Sequence, residues 1–490
     1  MKLTTSLLLL VAGLSCLFEG CAAGVSVIPQ NAIDDLKYRD QSAEPIAPVN
    51  VDEEIVPIFE RSINVEPING GQEDYVEPAP IAEVEAASVE SKSEVEDESV
   101  KPESDANEIL VGRASECKVA IRGGLSSPQP VYIKKGSTEF YPYDDSGVMV
   151  VDSGSSLEMW CPGKFSSISQ TLVTATCVSG TNFKIDGTTY AFKELACKAW
   201  PTFTAEKTGA SCNGGIMVRV GYKVSSSRFI EQYTVCFDEV EEVTRYVHHD
   251  LNPGSNYYET GVARITFTTG GFFDGKAVNT LYTQVTQQET ISAALGMDSS
   301  KYFDYSTSLY LARGHLAAKA DFDYAAQQRA SFLFINAAPQ WQTFNAGNWA
   351  SVEDSLRSKV TKSKWTVDCY TGVYGVTTLP NSEGVQTPLY LAYDNNNNGL
   401  IPVPKLYFRV VIERSTNKGI VFIGVNNPYL TLDEIKKDYI ICTDVADQVD
   451  YITWKRTDIT AGYSYACTVS DFMSKVSHLP SLSASGGLLL

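Results

Sequence analysis

Residues 310–357 read YLARGHLAAKADFDYAAQQRASFLFINAAPQWQTFNAGNWASVEDSLR, and the predicted fold and chemistry both follow from this stretch. It carries one imidazole, two amides, one carboxylate and two guanidinium groups at close spacing: Arg313, His315, Asn336, Asn345, Glu353 and Arg357. The set contains no Ser or Cys nucleophile. It therefore suits metal-assisted hydrolysis of a phosphodiester, in which a base activates water while positive charge stabilises the phosphate.

Periodicity around this stretch predicts a mixture of strands and helices. Strands are predicted at residues 263–268, 331–336, 405–412 and 419–424, the last two half-buried, and helices at 281–295 and 349–360. Asn348 is a candidate N-cap for the second helix. On that helix Glu353 and Arg357 lie four residues apart and project together, either toward a site or as a surface salt bridge.

His315 is the strongest candidate base among the four histidines of the chain, because a neutral imidazole accepts protons near physiological pH. Gly314 can bring the backbone close to a substrate, and Arg313 can meet a phosphate with two hydrogen bonds. The tripeptide alone is a weak signal, and a structural histidine is the alternative. Asn336 ends a predicted buried strand, where its amide could fix the base or a substrate oxygen.

These motifs resemble those of the DNA/RNA non-specific endonucleases of the ββα-metal, or His-Me finger, class. The matching residues are Arg-Gly-His at 313–315, Phe-Ile-Asn-Ala-Ala-Pro-Gln at 334–340, Phe-Asn-x-Gly-x-Trp at 344–349, and Glu353 and Arg357 at the family spacing. The chain looks most like the secreted double-stranded-RNA nucleases of insects. The resemblance covers residues 241–470 and implies an α+β fold, a ββα-metal nuclease domain with a mixed antiparallel sheet and helices.

The resemblance also implies a role for each matching residue. His315 would be the general base that deprotonates the attacking water. Asn345 would be the single direct protein ligand of Mg²⁺, with Mn²⁺ as the alternative ion, and Glu353 would hold the water shell of the ion. Arg313 and Arg357 would contact the scissile phosphate and its developing charge.

The remaining matching residue, Asn336, would orient the site. Two positions of this chain depart from the family pattern. Ala312 stands where many members have Asp, so any support that Asp gives to the loop is absent. An arginine found upstream in some members has no clear match. Arg264, Lys276 or Lys301 could substitute for it, and the sequence does not choose among them.

The N-terminus is predicted to be a secretory signal peptide at residues 1–23. Lys2 supplies its positive end, an apolar run follows, and small residues permit cleavage after Ala23. A membrane anchor is the alternative. No later uncharged apolar stretch is long enough to span a bilayer, so no membrane partner is predicted.

The next segment is strongly acidic. Residues 24–108 hold 22 acidic against 5 basic residues, a net charge of −17, whereas residues 109–490 are close to neutral at −3. Residues 24–113 are therefore predicted to be a disordered acidic prosegment, cut by a processing protease at Arg113, or otherwise a solvated linker. As a tethered polyanion it could occupy a nucleic-acid groove. Because residues 109–490 are nearly neutral overall, they can carry a local basic groove that binds a polyanion.

Nine cysteines remain after removal of the signal, and export to an oxidising compartment predicts disulfides. Residues 114–240 contain six of them among short strand-like segments. This part is predicted to be a cysteine-rich, mostly-β module with three internal bridges and a scaffolding role. The odd thiol is predicted among Cys369, Cys442 and Cys467. The absence of C-x-x-C and H-E-x-x-H argues against a structural zinc site and a zinc protease.

The predicted function is a secreted, metal-dependent endonuclease with little sequence specificity, because contacts to phosphate read no bases. Its nuclease domain would span residues 241–480, with a frayed tail at residues 481–490. Preference for double-stranded RNA over DNA rests on the resemblance alone. The alternatives are a nuclease that prefers duplex DNA or ignores the sugar, and a catalytically dead nucleic-acid-binding protein on the same scaffold. The sequence makes no prediction of oligomeric state.

Overall fold

The structure is a computed structural model that describes residues 116–490. The predicted signal peptide at residues 1–23, the acidic prosegment at residues 24–113 and its cleavage site at Arg113 lie outside the described residues. Within residues 116–490, no helix is long and apolar enough to cross a membrane.

Strands dominate the described part of the chain. In chain order they are β1 (Cys117–Ala120), β2 (Val131–Lys134), β3 (Val148–Val151), β4 (Ser156–Trp160), β5 (Leu172–Ser179), β6 (Asn182–Ile185), β7 (Thr188–Ala191), β8 (Thr204–Cys212), β9 (Gly215–Lys223), β10 (Phe229–Asp238), β11 (Val243–Leu251), β12 (Leu311–His315), β13 (Ala337–Trp341), β14 (Val367–Val376), β15 (Thr378–Pro380), β16 (Gln386–Pro388), β17 (Tyr390–Tyr393), β18 (Gly399–Pro402), β19 (Pro404–Glu413), β20 (Lys418–Val425) and β21 (Ser464–Cys467). The α-helices of five or more residues are α1 (Gln284–Leu295), α2 (Ala325–Ala330), α3 (Ala350–Ser363), α4 (Leu432–Asp438) and α5 (Val469–Met473).

The first part of the fold is a small β module. A five-stranded antiparallel sheet has the order β2-β4-β5-β6-β7, and β1 pairs with β3 beside it. Disulfides Cys117–Cys177 and Cys161–Cys197 cross-link this module. Its core consists mainly of buried aliphatic side chains, with the aromatic rings of Tyr132, Phe165, Phe183 and Phe192 packed among them. The predicted mostly-β character of this region is confirmed.

An eight-stranded antiparallel sheet forms the centre of the remaining chain, with the order β21-β20-β19-β14-β11-β10-β9-β8. Strands β8 to β10, residues 204–238, belong to it through continuous backbone pairing with β11. The boundary predicted at residue 240 therefore does not coincide with a division between sheets, which falls near residue 200. The third bridge among the six cysteines of residues 114–240 joins Cys212 to Cys236 within the large sheet and connects β8 to β10 across β9.

The strands predicted at 405–412 and 419–424 are present as β19 and β20, but nearly every residue in them is buried. Helix α3 packs on one face of the sheet through Leu356. Helices α4 and α5 pack on the other face through Ile435 and Phe472. The half-buried prediction was wrong because these strands lie inside the sheet and are covered on both sides.

The strands predicted at 263–268 and 331–336 are not formed. The two segments touch through one isolated parallel bridge between Thr268 and Leu333, and residues Phe334–Asn336 form a single 3₁₀ turn. The strand of this region begins one residue later, at Ala337. The buried side-chain amide of Asn336 forms hydrogen bonds with the backbone N–H and C=O of Ala317, groups that strand pairing would otherwise use.

Both predicted helices of this region are present with shifted starts. Helix α1 begins at Gln284, where the Thr283 side chain accepts a hydrogen bond from the backbone of Thr286. Helix α3 begins at Ala350 and follows a π-helical turn over Asn345–Trp349. Asn348 is not its N-cap: the amide of Asn348 is buried and bonds the backbone of the 455–462 loop.

The C-terminal cysteines follow the predicted arrangement. Cys442 and Cys467 form a disulfide, and Cys369 on β14 is free and buried. Residues 481–490 were predicted as a frayed tail, and this was wrong. Leu489 is buried, and the tail makes two backbone hydrogen bonds with Gly419 of β20.

Candidate active site

Strands β12 and β13 form a two-stranded antiparallel ribbon that carries the central motif. Arg313 and His315 lie two residues apart on β12, so their side chains leave the same face of the ribbon. A groove of about 590 Å³ opens beside the ribbon. Its lining includes Arg264, Phe267, Asn279, Arg313, Phe332 and Asn345.

Arg313 offers free hydrogen-bond donors to this groove. Its guanidinium stacks over the ring of Tyr282, 5.1 Å from the centroid, and one Nη donates to the backbone oxygen of Asn279 at 3.1 Å. The Nε–H is buried and meets no acceptor within the part of the chain that the structure describes. Without a carboxylate partner there, Arg313 is suited to bind an anion such as phosphate.

Arg264 is a second cation in the groove, and the sequence did not single it out. Its guanidinium lies 5.5 Å from the centroid of the Phe332 ring, and it forms no salt bridge within residues 116–490. Of the three upstream cations considered, it is the one that lines the groove. Lys276 is instead paired with Glu242, 2.8 Å away. Arg264 lies in an irregular segment where no periodic pattern marks a site.

His315 lies at the inner end of β12, between the rings of Phe267 and Phe332 at centroid distances of 5.0 and 5.1 Å. Its Nε2 is 3.4 Å from the Ser331 hydroxyl. Burial lowers the pKa of His315 to about 3, and the positive charges of Arg264 and Lys319 act in the same direction. The imidazole is thus neutral at pH 7 and able to accept a proton. An approaching phosphate would raise this pKa toward the working range of a base.

Asn336 is fully buried and holds the loop after His315. Its Nδ2 donates to the backbone oxygens of Ala317 and Ser331 at 3.0 and 2.9 Å, and its Oδ1 accepts from the Ala317 amide at 2.9 Å. These bonds use both N–H donors of the amide, the groups that a substrate oxygen would need. The geometry therefore matches the role of orienting the base and leaves no atom of Asn336 for a substrate oxygen.

Asn345 opens the π-helical turn before α3 and lies on the groove wall. Its Nδ2 donates to Oε1 of Gln342 at 3.0 Å. Its Oδ1 accepts no hydrogen bond from any residue between 116 and 490. An amide oxygen is a hard ligand of the kind that Mg²⁺ takes, and a site with one protein oxygen suits an ion that keeps most of its water. Asn345 therefore fits a metal ligand.

Glu353 and Arg357 do not form a salt bridge with each other, which was the predicted alternative to a place in the site. Glu353 lies 3.9 Å from Nη2 of Arg409, and burial raises its pKa to about 7. Arg357 is almost fully buried and donates to Asp321 at 2.7 Å and to Asp354. Arg357, like His315 and Glu353, is not among the residues that line the groove, and two carboxylates already occupy its guanidinium, so this geometry offers no free donor of Arg357 for the predicted contact with phosphate.

Asp321 is the centre of a buried network that the sequence did not reveal. Besides Arg357, its carboxylate meets Nη1 of Arg409 at 3.1 Å and Nε2 of His249 at 2.9 Å. Despite complete burial, these partners hold the pKa of Asp321 far below its usual range. Arg409 also donates to the backbone oxygen of Leu316, next to the base. The network thus connects helix α3 to the loop that follows His315.

A separate cluster on the large sheet has metal-binding residue types. His248, Asp250 and Asp368 bring their ligand atoms within 4.8 Å of one another. Arg414 donates to Asp250 at 2.6 Å and to Asp368 at 2.7 Å. This guanidinium already supplies the positive charge that an ion would bring. The cluster lies outside the groove, and its geometry is that of an ion-pair network.

The low pKa of His315 predicts a pH-dependent stability that the His315→Gln variant lacks. The pKa is about 3 in the folded chain and about 6.5 in an unfolded one. Below pH 6.5 the unfolded state takes up the proton first, so this stabilising contribution is present above that pH and is lost as the pH falls. Between pH 6.5 and 5, wild type should lose about 2 kcal/mol relative to His315→Gln.

This difference is measured by urea unfolding of both proteins at the two pH values with chelator present. The other buried titratable groups are common to both proteins and cancel in the comparison. Equal pH dependence of the two proteins would mean that His315 titrates normally and is accessible to water.

Residues 213–472 match the family model described as DNA/RNA non-specific endonuclease. A salivary endonuclease of Lutzomyia longipalpis is 28% identical over 71% of this chain and 80% of its own length. A salivary endonuclease of Culex quinquefasciatus is 25% identical over 63% of this chain and 75% of its own length. The salivary protein Tsal1 of Glossina morsitans morsitans is 22% identical over 75% of this chain and 92% of its own length.

Proposed function

The chain belongs to the DNA/RNA non-specific endonuclease family, and on this basis we propose that it is a secreted, Mg²⁺-dependent endonuclease that prefers double-stranded RNA. Nucleases of this family depend on a divalent metal ion. One observation carries the proposal: the neutral imidazole of His315 packs against Phe267 and Phe332, and these rings line the same groove as Arg264 and Arg313, two guanidinium groups that pair with no carboxylate among residues 116–490. The four disulfides support export to an oxidising compartment.

In the proposed reaction His315 accepts a proton from the attacking water. Arg264 and Arg313 bind the phosphate and balance the negative charge that develops on it. Asn336 keeps the imidazole in position by holding the loop that follows it. A bound Mg²⁺ would polarise the phosphate and stabilise the leaving oxygen.

The metal would be held by oxygen donors at the start of α3 and along it. Asn345 would bind the ion through its amide oxygen, and Glu353 would act through water. Mn²⁺ takes the same oxygen ligands and is the alternative ion. A cation nearby would lower the pKa of Glu353, which burial raises to about 7, and would keep its carboxylate charged.

Arg357 has a different role in this proposal from the one its position in the motif implied. Its guanidinium is engaged by Asp321 and Asp354. We assign it as a positioning residue that fixes Asp321, and through Arg409 the loop at His315. Arg264 takes the place of the second arginine at the phosphate.

The residues that support the reaction class do not identify the substrate class. Guanidinium and metal contacts to phosphate bind RNA and DNA alike and carry no sequence information. The preference for duplex RNA therefore follows from the similarity to insect double-stranded-RNA nucleases. Duplex DNA is the first alternative. A dead, nucleic-acid-binding scaffold is the second, and Ala312 in place of the family's Asp is the feature that favours it.

The test compares long duplex RNA, duplex DNA and single-stranded RNA as substrates for the chain beginning at Ala114. We expect cleavage that requires Mg²⁺, stops with chelator and is fastest on duplex RNA. Faster cleavage of duplex DNA would keep the mechanism and change the substrate. Salt-sensitive binding without any cleavage would contradict the proposal and support the binding scaffold.

The same assay tests the metal site with the Asn345→Ala variant. The Mg²⁺ concentration for half-maximal rate should rise about 10–100-fold, as it does when metal-site partners are removed. Asn395→Ala is the matched control, because Asn395 lies exposed in an Asn-rich turn outside the groove. An unchanged Mg²⁺ requirement in Asn345→Ala would remove Asn345 as the ligand.

A further inference from the structure

Positive charge continues from the groove beside β12 onto the β module. Arg264 lines the groove, Arg329 lies at the end of α2, and Lys198 and Lys164 lie in loops of the β module. These four residues form the basic strip. Within residues 116–490 their side chains make no salt bridge and donate no hydrogen bond. The proposed nuclease reaction uses only Arg264.

Arg264 and Arg329 lie on neighbouring segments of the chain. The backbone N–H of Thr268 donates to the oxygen of Phe332 at 3.1 Å, so the two segments run side by side. The Arg264 guanidinium lies 5.5 Å from the centroid of the Phe332 ring. The backbone N–H of Phe332 donates to the oxygen of Arg329 at 3.2 Å. Phe332 therefore contacts both arginines and connects the groove to the end of α2.

Trp200 connects Arg329 to the β module. The Arg329 guanidinium lies 4.5 Å from the centroid of the Trp200 ring, and both side chains are half-buried. Stacking on a ring holds a guanidinium in place and leaves the N–H groups at its edge free to bind phosphate. The guanidinium nitrogens of Arg329 remain accessible to solvent. An anion arriving from solvent can therefore reach these donors.

The two lysines extend the strip on the β module. Lys198 lies two residues before Trp200, and its backbone N–H donates to the oxygen of Lys164 at 3.0 Å. Both lysines are exposed. The disulfide Cys161–Cys197 cross-links the two loops that carry them. The ammonium groups therefore project from loops whose positions are fixed relative to each other and to Trp200.

The segments that carry the basic strip contain no carboxylate. No Asp or Glu occurs at residues 159–185, 195–205, 260–273 or 324–352, although the whole chain has 59 acidic residues. The groove lining also contains no acidic side chain. Negative charge from residues nearby in sequence therefore does not offset the strip. Each phosphate that such cations neutralise releases counterions and increases the affinity for a polyanion.

We propose that the basic strip binds phosphates of the nucleic-acid substrate that lie beyond the scissile phosphate, which makes the β module part of the substrate-binding surface. The inference rests on the proposed nuclease function, because the groove at one end of the strip is the proposed place of the scissile phosphate. A short substrate needs only the groove, whereas contacts outside it favour a long one. Such contacts add affinity without reading bases.

The test is binding of a fluorescent RNA duplex of about 30 base pairs to the full chain, with disulfides intact and chelator present, at several salt concentrations. Arg329→Gln/Lys198→Gln/Lys164→Gln should bind at least about tenfold more weakly than wild type. The slope of log affinity against log salt should become shallower by about two to three, because three phosphate contacts are lost. Unchanged affinity and slope, or no binding by wild type, would overturn the proposal.

Binding with chelator separates this proposal from the nuclease reaction. Wild type that binds through the strip but does not cleave with Mg²⁺ would support the strip and contradict the proposed reaction. Lys198→Gln/Lys164→Gln changes only exposed residues and covers the case in which loss of Arg329 disturbs α2. Its slope should become shallower by about two.

The matched control is Lys436→Gln/Lys437→Gln/Lys475→Gln. These exposed lysines lie at α4 and α5, on the face of the large sheet opposite to the groove. The control removes the same charge as the triple variant of the strip and should bind like wild type. Equal weakening by both triple variants would mean nonspecific attraction between charges and would overturn the proposal.

Polyglutamate is the probe for an acidic peptide, a class that includes residues 24–108 of this chain with their net charge of −17. It should bind more weakly than duplex RNA of equal charge, because a flexible chain must be ordered on binding. Polyglutamate that binds as tightly as the duplex, with the same loss of affinity in the triple variant of the strip, would make the strip an acidic-peptide site. That result would contradict a role in substrate binding.

Discussion

Replacing His315 with alanine is expected to reduce the rate of duplex RNA cleavage at least about 10³-fold, with the fold retained. General base catalysis contributes roughly 10²–10⁴-fold, and the groove lining in the described part of the chain contains no other histidine that could replace His315. The side chain sits between Phe267 and Phe332, so its loss leaves a small cavity but no unpaired charge. The measurement is initial rate at saturating Mg²⁺, beside circular dichroism of both proteins.

The control for this variant is His478→Gln, because His478 lies between Tyr374 and Phe408 on the opposite side of the large sheet. That variant should cleave at a near-normal rate. Nucleic-acid binding by His315→Ala should persist, because Arg264 and Arg313 remain. Near-normal turnover by His315→Ala would exclude His315 as the base and leave the groove without a proton acceptor.

Replacing Asp321 with asparagine is expected to lower the free energy of unfolding by about 3–5 kcal/mol, the usual effect of breaking a buried ion pair by removing one partner. The carboxylate is fully buried and is shared by Arg357, Arg409 and His249. Without it, two buried guanidinium groups lose their main counter-charge. Because domains are stable by only about 5–15 kcal/mol, this loss is a large share of the total.

Asp354→Asn is the matched control, because Asp354 also pairs with Arg357 but its side chain is 73% exposed. Such a surface pair contributes about 0–1 kcal/mol. Urea unfolding followed by tryptophan fluorescence measures both variants. Losses of equal size would show that the network has no special dependence on Asp321, and the proposed link from α3 to the base would fail.

The local parts of the site were predictable from sequence because each depends on a short segment. Gly314 lies in such a segment, and a Cβ there would lie 2.6 Å from the Cβ of Gln340, so close packing against the fixed part of this side chain favours glycine. The position of Asn345 just before α3 also followed from short patterns. The cysteine count placed the odd thiol among Cys369, Cys442 and Cys467, and the structure shows that it is Cys369. Placement of the motif on two paired strands needed the structure, because Phe334–Asn336 turns before β13 begins.

The network around Asp321 could not be predicted, because its members are far apart in sequence. Arg409 lies 88 positions after Asp321, and His249 lies 72 before it. One signal was present: Arg409 is a charged residue within an apolar strand, which calls for a buried partner. The boundary predicted at residue 240 differs from the division between sheets for a related reason, since the pairing of β8 with β9 and of β9 with β10 is invisible to a change in composition.

The order of strands in the large sheet has a consequence for synthesis of the protein. Strands β8 to β11 are made first, but β14, β19, β20 and β21 complete the sheet, and Arg409 on β19 reaches back to Asp321 and to the loop at His315. A nascent chain that ends before residue 400 would contain His315 and Asp321 without the Arg409 that joins them. The buried network therefore closes only after β19 has been synthesised, so folding of the loop after His315 depends on most of the chain.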